Sequence, residues 1–187
     1  MRCRVPLMVR PKTLAALPLA LCIVAATYRA RSPLTDTRDV PGFLFFDHVA
    51  VSVKPGELEA HVAAYKTLGF REVHREEVLG SDQVREVLLQ VGNGPNLLQL
   101  IEPLSSESPV ARQIERNGGH GGLAHIAIRV TDIQRAYEHM KANGFRLIDD
   151  GPRKGSRGTT VFFVHPKTTE AAAFGYILEI VQVGSHA

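Results

Sequence analysis

Two histidines, a glutamine and a glutamate recur at matched places in this chain. His48 stands in Asp47-His48-Val49-Ala50-Val51, and His125 stands 77 residues later in Ala124-His125-Ile126-Ala127-Ile128. Gln99 lies in Leu97-Leu98-Gln99-Leu100-Ile101, and Glu179 lies 80 residues later in Ile177-Leu178-Glu179-Ile180-Val181. Two imidazoles with two side-chain oxygens suit a borderline divalent cation such as Co²⁺, Zn²⁺, Ni²⁺, Mn²⁺ or Fe²⁺, and leave room in an octahedral shell for substrate oxygens. Taken singly, each has a plainer reading: a structural histidine, a satisfied amide, a salt-bridged acid. Their symmetry joins them. Glu179 also sits among apolar residues on both faces of its segment, an expensive place for a carboxylate unless it is paired or bound to a cation. The only cysteines, Cys3 and Cys22, precede this region, so thiolate metal sites, cysteine nucleophiles and disulfides are excluded from it.

The elements that position these residues are duplicated. Gly69-Phe70-Arg71 returns as Gly144-Phe145-Arg146 at an offset of 75, in the same order as the other matches. Each copy reads as strand, helix, then three strands. In the first, alternation and β-branched residues predict a strand over 44–53, a helix with Leu58, Val62 and Tyr65 on its apolar face, and strands at 71–78, 83–91 and 96–102. In the second, a strand at 123–130 precedes a helix opened by a Thr131/Gln134 capping box and closed at Asn143-Gly144. Strands near 145–150, 160–165 and 175–183 follow, and Ser108-Pro109 starts a short connecting helix through Arg116. The fold class is α+β: tandem βαβββ modules over 43–102 and 123–183, linked by 103–122, forming a curved sheet around a metal cleft. Strand parity puts Val49, Val51, Val53 and Ile126, Ile128, Val130 on the helix-covered faces, with both histidines on the opposite face. The remaining histidines (His61, His74, His120, His139, His165 and His186) read as surface or loop residues.

Charge divides the chain unevenly. Residues 1–40 hold seven basic and two acidic side chains, which leaves 15 basic and 17 acidic over the rest. The basic balance therefore belongs to the leader and gives no argument for a nucleic-acid surface on the folded body. The uncharged stretch Thr13–Tyr28 is 16 residues long and interrupted by Pro18, short of the ~20 that a membrane helix needs, so no stable membrane insertion is expected. The leader fits either a secretory peptide with Val24-Ala25-Ala26 near its cleavage site or an Arg-rich, acid-poor mitochondrial transit peptide. Residues 1–40 are accordingly read as a cleavable targeting segment and 41–187 as a single domain.

The chain resembles the vicinal-oxygen-chelate (glyoxalase/bleomycin resistance) superfamily and, within it, the methylmalonyl-CoA epimerase (racemase) family. The resemblance runs over 43–183 and rests on Phe46-Asp47-His48-Val49-Ala50, Glu102-Pro103 with Ser108-Pro109-Val110-Ala111, Gly122-Leu123-Ala124-His125-Ile126-Ala127, Leu147-Ile148-Asp149, His165-Pro166-Lys167 and Gly175-Tyr176-Ile177-Leu178-Glu179. It implies His48, Gln99, His125 and Glu179 as metal ligands, with Co²⁺ the family's metal and Zn²⁺, Mn²⁺ and Ni²⁺ as alternatives. It also implies Glu86 as the acid–base residue, with Glu179 as the acid–base group for the opposite face. By strand chemistry alone, Glu86 is an exposed residue. The implied reaction interconverts (R)- and (S)-methylmalonyl-CoA by α-proton abstraction through a metal-stabilised enolate, in propionyl-CoA metabolism. The expected partners are the substrate, a second copy of the chain in a homodimer, and methylmalonyl-CoA mutase as pathway neighbour. Family habit tips the leader toward the mitochondrial matrix, with secretory or cytoplasmic placement as alternatives.

Departures from the family pattern carry their own expectations. Ala124 stands where two consecutive histidines are usual, and Thr168–Phe174 is longer than usual, next to the last strand. The longer loop is expected to alter the cleft wall. Arg153, Lys154, Arg157 and Lys167 are candidates to meet CoA phosphates. Competing readings are a glyoxalase-type lyase or isomerase, an iron-dependent extradiol dioxygenase, and a metal-free ligand-sequestering protein on the same scaffold.

Overall fold

The computed structural model describes residues 42–184. The leader assignment over 1–40 and His186 lie outside them. The β-branched and aromatic run Phe43–Ser52 forms strand β1, followed by helix α1 (Leu58–Thr67) and strands β2 (Arg71–Val78), β3 (Val84–Gln90) and β4 (Leu97–Pro103). Helix α2 (Pro109–Arg116) leads to the second copy: β5 (Gly122–Val130), α3 (Ile133–Ala142), β6 (Arg153–Lys154), β7 (Thr159–Val164) and β8 (Ile177–Val183). All eight strands join one sheet in the order β2-β3-β4-β1-β5-β8-β7-β6. This is the expected α+β pair of βαβββ modules. The sheet curls far enough for Val78 of β2 and Arg153 of β6, near its two edges, to line one cavity.

The modules meet where β1 and β5 pair antiparallel, with Ala50 opposite His125 and His48 opposite Ala127. Each of these strands then pairs parallel with the last strand of its own module, β1 with β4 and β5 with β8. The register repeats: Ala50, two residues after His48, faces Gln99, and Ala127, two residues after His125, faces Glu179. The duplicated sequence thus becomes a duplicated geometry, with the four matched residues on four consecutive central strands. The chain enters the seam through Gly121, where an added Cβ would overlap the Ser52 carbonyl.

Helix packing follows the predicted parity. Ile126, Ile128 and Val130 join Ile133, Ala136, Tyr137 and Met140 of α3 in one core, and Val51 and Val53 join Leu58 and Val62 of α1 in the other. Val49 departs from the pattern and is 38% exposed. Helix α2 opens as expected, with Ser108 Oγ accepting the Val110 N–H at 3.2 Å. At α3 the cap is Asp132 rather than the Thr131/Gln134 box: its carboxylate accepts the Arg135 N–H at 3.0 Å, and Gln134 instead donates to Glu138. A carboxylate one position later meets the free N–H groups directly and displaces the hydroxyl.

The strand expected near 145–150 is reduced to a single bridge between Leu147 and Val164, with β6 following at Arg153–Lys154. Asp149 is the cause. Its carboxylate takes the Phe163 N–H at 2.7 Å, substituting for a backbone carbonyl of the ladder, and Gly151-Pro152 then turns the chain.

Helix α1 receives no hydrogen bond from its own N-cap side chain. Glu102, buried at the end of β4, instead accepts the Gly56 and Leu58 N–H groups at 2.6 and 3.2 Å and an Arg85 N–H at 3.2 Å. Glu102→Ala should therefore unpin α1 from the sheet and cost about 2–3 kcal/mol, because two helix-end donors lose a charged acceptor at once. A urea titration followed by circular dichroism measures this, and Glu102→Gln should recover part of the loss.

Candidate active site

The curl of the sheet brings His48, His125 and Glu179 into one cluster. His48 Nε2 and His125 Nε2 stand 3.0 Å apart, and Glu179 Oε2 lies 3.2 Å from the first and 3.0 Å from the second. Two imidazole nitrogens this close cannot both point a proton at each other. Three donor atoms on edges of 3.0–3.2 Å have the dimensions of one face of an octahedron, whose edge for metal–ligand bonds of about 2.1–2.2 Å is about 3.0 Å. These residues fit a divalent cation, and fit it in the imidazole-plus-carboxylate chemistry of borderline metals.

Buried charge around the cluster is arranged to orient it. Asp47, fully buried, meets His48 Nδ1 at 2.9 Å, leaving Nε2 to face the cluster. Asp47 is itself held by Arg129, whose Nε donates at 2.6 Å, and by Arg157 at 2.9 Å. Burial would raise the Asp47 carboxyl, but the bond from His48 and the Arg157 charge outweigh it and hold the pKa near about 2. Burial would likewise lower His48, yet Asp47 and Glu179 carry it up to about 9. Glu179 is opposed by the same desolvation, and its bonds to His125 and His48 keep it well below the usual carboxylate range.

Asp47 is thus an outer partner of the kind that fixes ring orientation at metal centres. Asp47→Asn should lower cation affinity by about 10–100-fold while leaving His48, His125 and Glu179 in place. Competition against a metallochromic dye gives the affinity directly. An unchanged affinity would separate Asp47 from the site.

Gln99 sits on β4, one strand beyond His48. Its amide Nε2 donates to Glu86 Oε2 at 2.7 Å, while its Oε1 is buried without a hydrogen-bond partner. The bond to the carboxylate fixes the amide nitrogen and leaves the acceptor oxygen without a partner. Glu86 itself corrects the expectation of an exposed strand residue: it is 2% exposed, with Oε1 buried and unpartnered. Its neighbours explain the failure. Position 86 projects into the concave face of a curled sheet, which strand alternation alone cannot distinguish from solvent. Burial raises the Glu86 pKa and nearby Glu76 adds to the rise, outweighing the Ser156 hydroxyl and the Arg157 and His48 charges that lower it.

Glu86, His125 and Glu179 line a shared cavity of about 240 Å³, whose other walls include Ile101 and Phe163. The two carboxylates come from different modules. The loop 168–174 contributes no lining residue, contrary to expectation; it closes on itself through Thr169 N–H to the Ala172 carbonyl at 2.9 Å. Two of the basic candidates for CoA phosphates are otherwise engaged. Arg157 is committed to Asp47, and Arg153 bonds Asp82 and Asp149 while lying over the Phe163 ring. Lys154 and Lys167 are exposed. His74, expected at the surface, is half-buried on β2 with Nε2 buried and unpartnered. Among the described residues, no helix is long and apolar enough to cross a membrane.

Residues 47–163 match the glyoxalase/bleomycin resistance protein/dioxygenase superfamily. The ethylmalonyl-CoA/methylmalonyl-CoA epimerase of Cereibacter sphaeroides is 33% identical over 73% of this chain and 96% of its own. The mitochondrial methylmalonyl-CoA epimerase of Homo sapiens is 31% identical over 75% of this chain and 80% of its own. A solved methylmalonyl-CoA epimerase in complex with methylmalonyl-CoA and NH₄⁺ superimposes with a TM-score of 0.67 at 30% identity, over 76% of this chain and 96% of that one. The chain belongs to the glyoxalase/bleomycin resistance protein/dioxygenase superfamily and, within it, to the methylmalonyl-CoA epimerase family.

Proposed function

We propose that this chain is a metal-dependent epimerase of methylmalonyl-CoA, with His48, Gln99, His125 and Glu179 as ligands and Glu86 and Glu179 as the acid–base pair. The carrying observation is that two buried carboxylates from opposite modules line one cavity beside a three-atom donor face. The relatives named for this activity, and the structural neighbour holding the substrate, support the same reading.

The α-carbon of the substrate lies between a thioester and a carboxylate and is acidic for a C–H. A divalent cation bound to the donor face would supply Lewis-acid polarisation of those oxygens and offset the charge that develops as the proton leaves. Co²⁺ follows from the family resemblance, and the imidazole and carboxylate donors also suit Zn²⁺, Mn²⁺ or Ni²⁺. Glu86 takes the proton at one face. Burial has already raised its proton affinity toward that of a useful base, and Gln99 fixes which oxygen is free to receive it. Ile101 and Phe163 make part of the cavity wall apolar, which disfavours water beside the carbanionic centre. Glu179, on the other module, serves the opposite face.

Proton NMR in D₂O tests the reading. Metal-loaded protein should exchange the α-proton of methylmalonyl-CoA and invert the centre, and chelator-treated protein should do neither. A folded, metal-bound protein that leaves the α-proton untouched would sink the proposal and bring glutathione hemithioacetals forward as substrates. The Arg-rich, acid-poor leader and the mitochondrial relative support a matrix address. Import into isolated mitochondria with removal of the leader checks it.

A further inference from the structure

We infer that His74, Glu76 and Glu86 form a second divalent-cation site, separate from the donor face of His48, His125 and Glu179. One ligand atom from each of the three lies within 4.8 Å of the others. Glu76 and Glu86 are directly opposite each other in the β2–β3 pairing. Like charges in that position repel, and a positive charge between them removes the cost.

Among the described residues, no Lys or Arg side chain bonds Glu76 or Glu86. Arg157 approaches, but gives Glu76 Oε1 only its backbone N–H, at 2.9 Å, while its guanidinium bonds Asp47. His74 Nε2 lies 3.5 Å from Glu76 Oε1, too far for a good hydrogen bond, and is buried without a partner. Glu86 is 2% exposed, and with Oε2 taken by Gln99 its Oε1 is also buried and unpartnered. Buried polar atoms ordinarily find partners, so two orphans from two residues of one three-residue cluster mark a missing group. One imidazole with two carboxylates selects Zn²⁺ or Mn²⁺ over Mg²⁺ or Ca²⁺, and leaves a fourth position for water.

The functional consequence rests on the epimerase reading. A cation bound here would occupy the Glu86 oxygen that otherwise receives the α-proton. The first equivalent of metal activates; the second silences the base.

Zn²⁺ is the probe. Chelator-stripped full-length protein, dialysed to equilibrium against micromolar Zn²⁺ and analysed for metal, should hold two equivalents. His74→Ala should hold one, with an unchanged circular dichroism spectrum, and Glu76→Gln should behave the same way. In the D₂O assay, wild-type exchange should rise with the first equivalent and fall about tenfold with the second. His74→Ala should reach the wild-type maximum and stay there. A single equivalent in the wild type, or two still held by His74→Ala, would overturn the site. The metal count is independent of turnover, so a protein inactive on methylmalonyl-CoA would still decide this inference while failing the functional one.

Discussion

Glu86→Gln should remove α-proton exchange of the epimer presented to Glu86, and inversion with it, while leaving the fold and the donor-face cation intact. The substitution keeps the side chain's size, and the new amide oxygen can still accept the Gln99 N–H that now goes to Glu86 Oε2 at 2.7 Å. What it removes is the only chemistry the position offers, a carboxylate oxygen free to take a proton. Loss of a positioned general base costs typically about 10²–10⁴-fold in rate. The size of the drop is informative because alternatives in the cavity are poor. His125 lines the same space, but its Nε2 is directed at His48 and Glu179. Asp82 lines the rim and is paired with Arg153. Rates from D₂O exchange, with metal content measured on the same samples, isolate the effect. A loss of less than tenfold with full metal would remove Glu86 from the mechanism and point to one of these neighbours.

The fold and the metal-competent residues were readable for one reason: the chain states them twice. His48 and His125 are individually unremarkable, but their similar spacings to Gln99 and Glu179, 51 and 54 residues, tie them to one architecture, and the β1–β4 and β5–β8 registers bring both pairs to the same relative place. What was not readable depended on contacts between the copies, where no repeat exists. Glu86 and His74 look like solvent-facing positions on strands rich in charge, and only the curl of the sheet buries Glu86 and half-buries His74. Asp47 was visible as a motif residue, yet its hold on Arg129 and Arg157 joins positions 82 and 110 residues apart. The lost strand near 145–150 failed for a local reason: a side-chain carboxylate, Asp149, took over a backbone acceptor's work, and periodicity does not register that exchange.

Glu179→Gln and His125→Gln should part company once metal is supplied in excess. Both exchange an imidazole or carboxylate donor for a neutral amide oxygen on a face whose three atoms lie 3.0–3.2 Å apart, so both should weaken cation binding by at least the about 10–100-fold expected for an outer partner such as Asp47. His125 has no other assigned task. Saturating metal should therefore return most of the exchange rate to His125→Gln. Glu179 has two tasks, holding the cation and serving the face opposite Glu86. At saturating metal, Glu179→Gln should still exchange the proton of the epimer presented to Glu86 but invert the centre about 10²–10⁴-fold more slowly than wild type. Exchange without inversion is the signature of a site with one working face, and NMR of the recovered thioester, resolved by epimer, reads both processes together. If Glu179→Gln inverts normally once refilled with metal, the carboxylate is a ligand only. The proton on that face then comes from water admitted to the cavity, and mutation of the apolar wall at Phe163 becomes the next place to look.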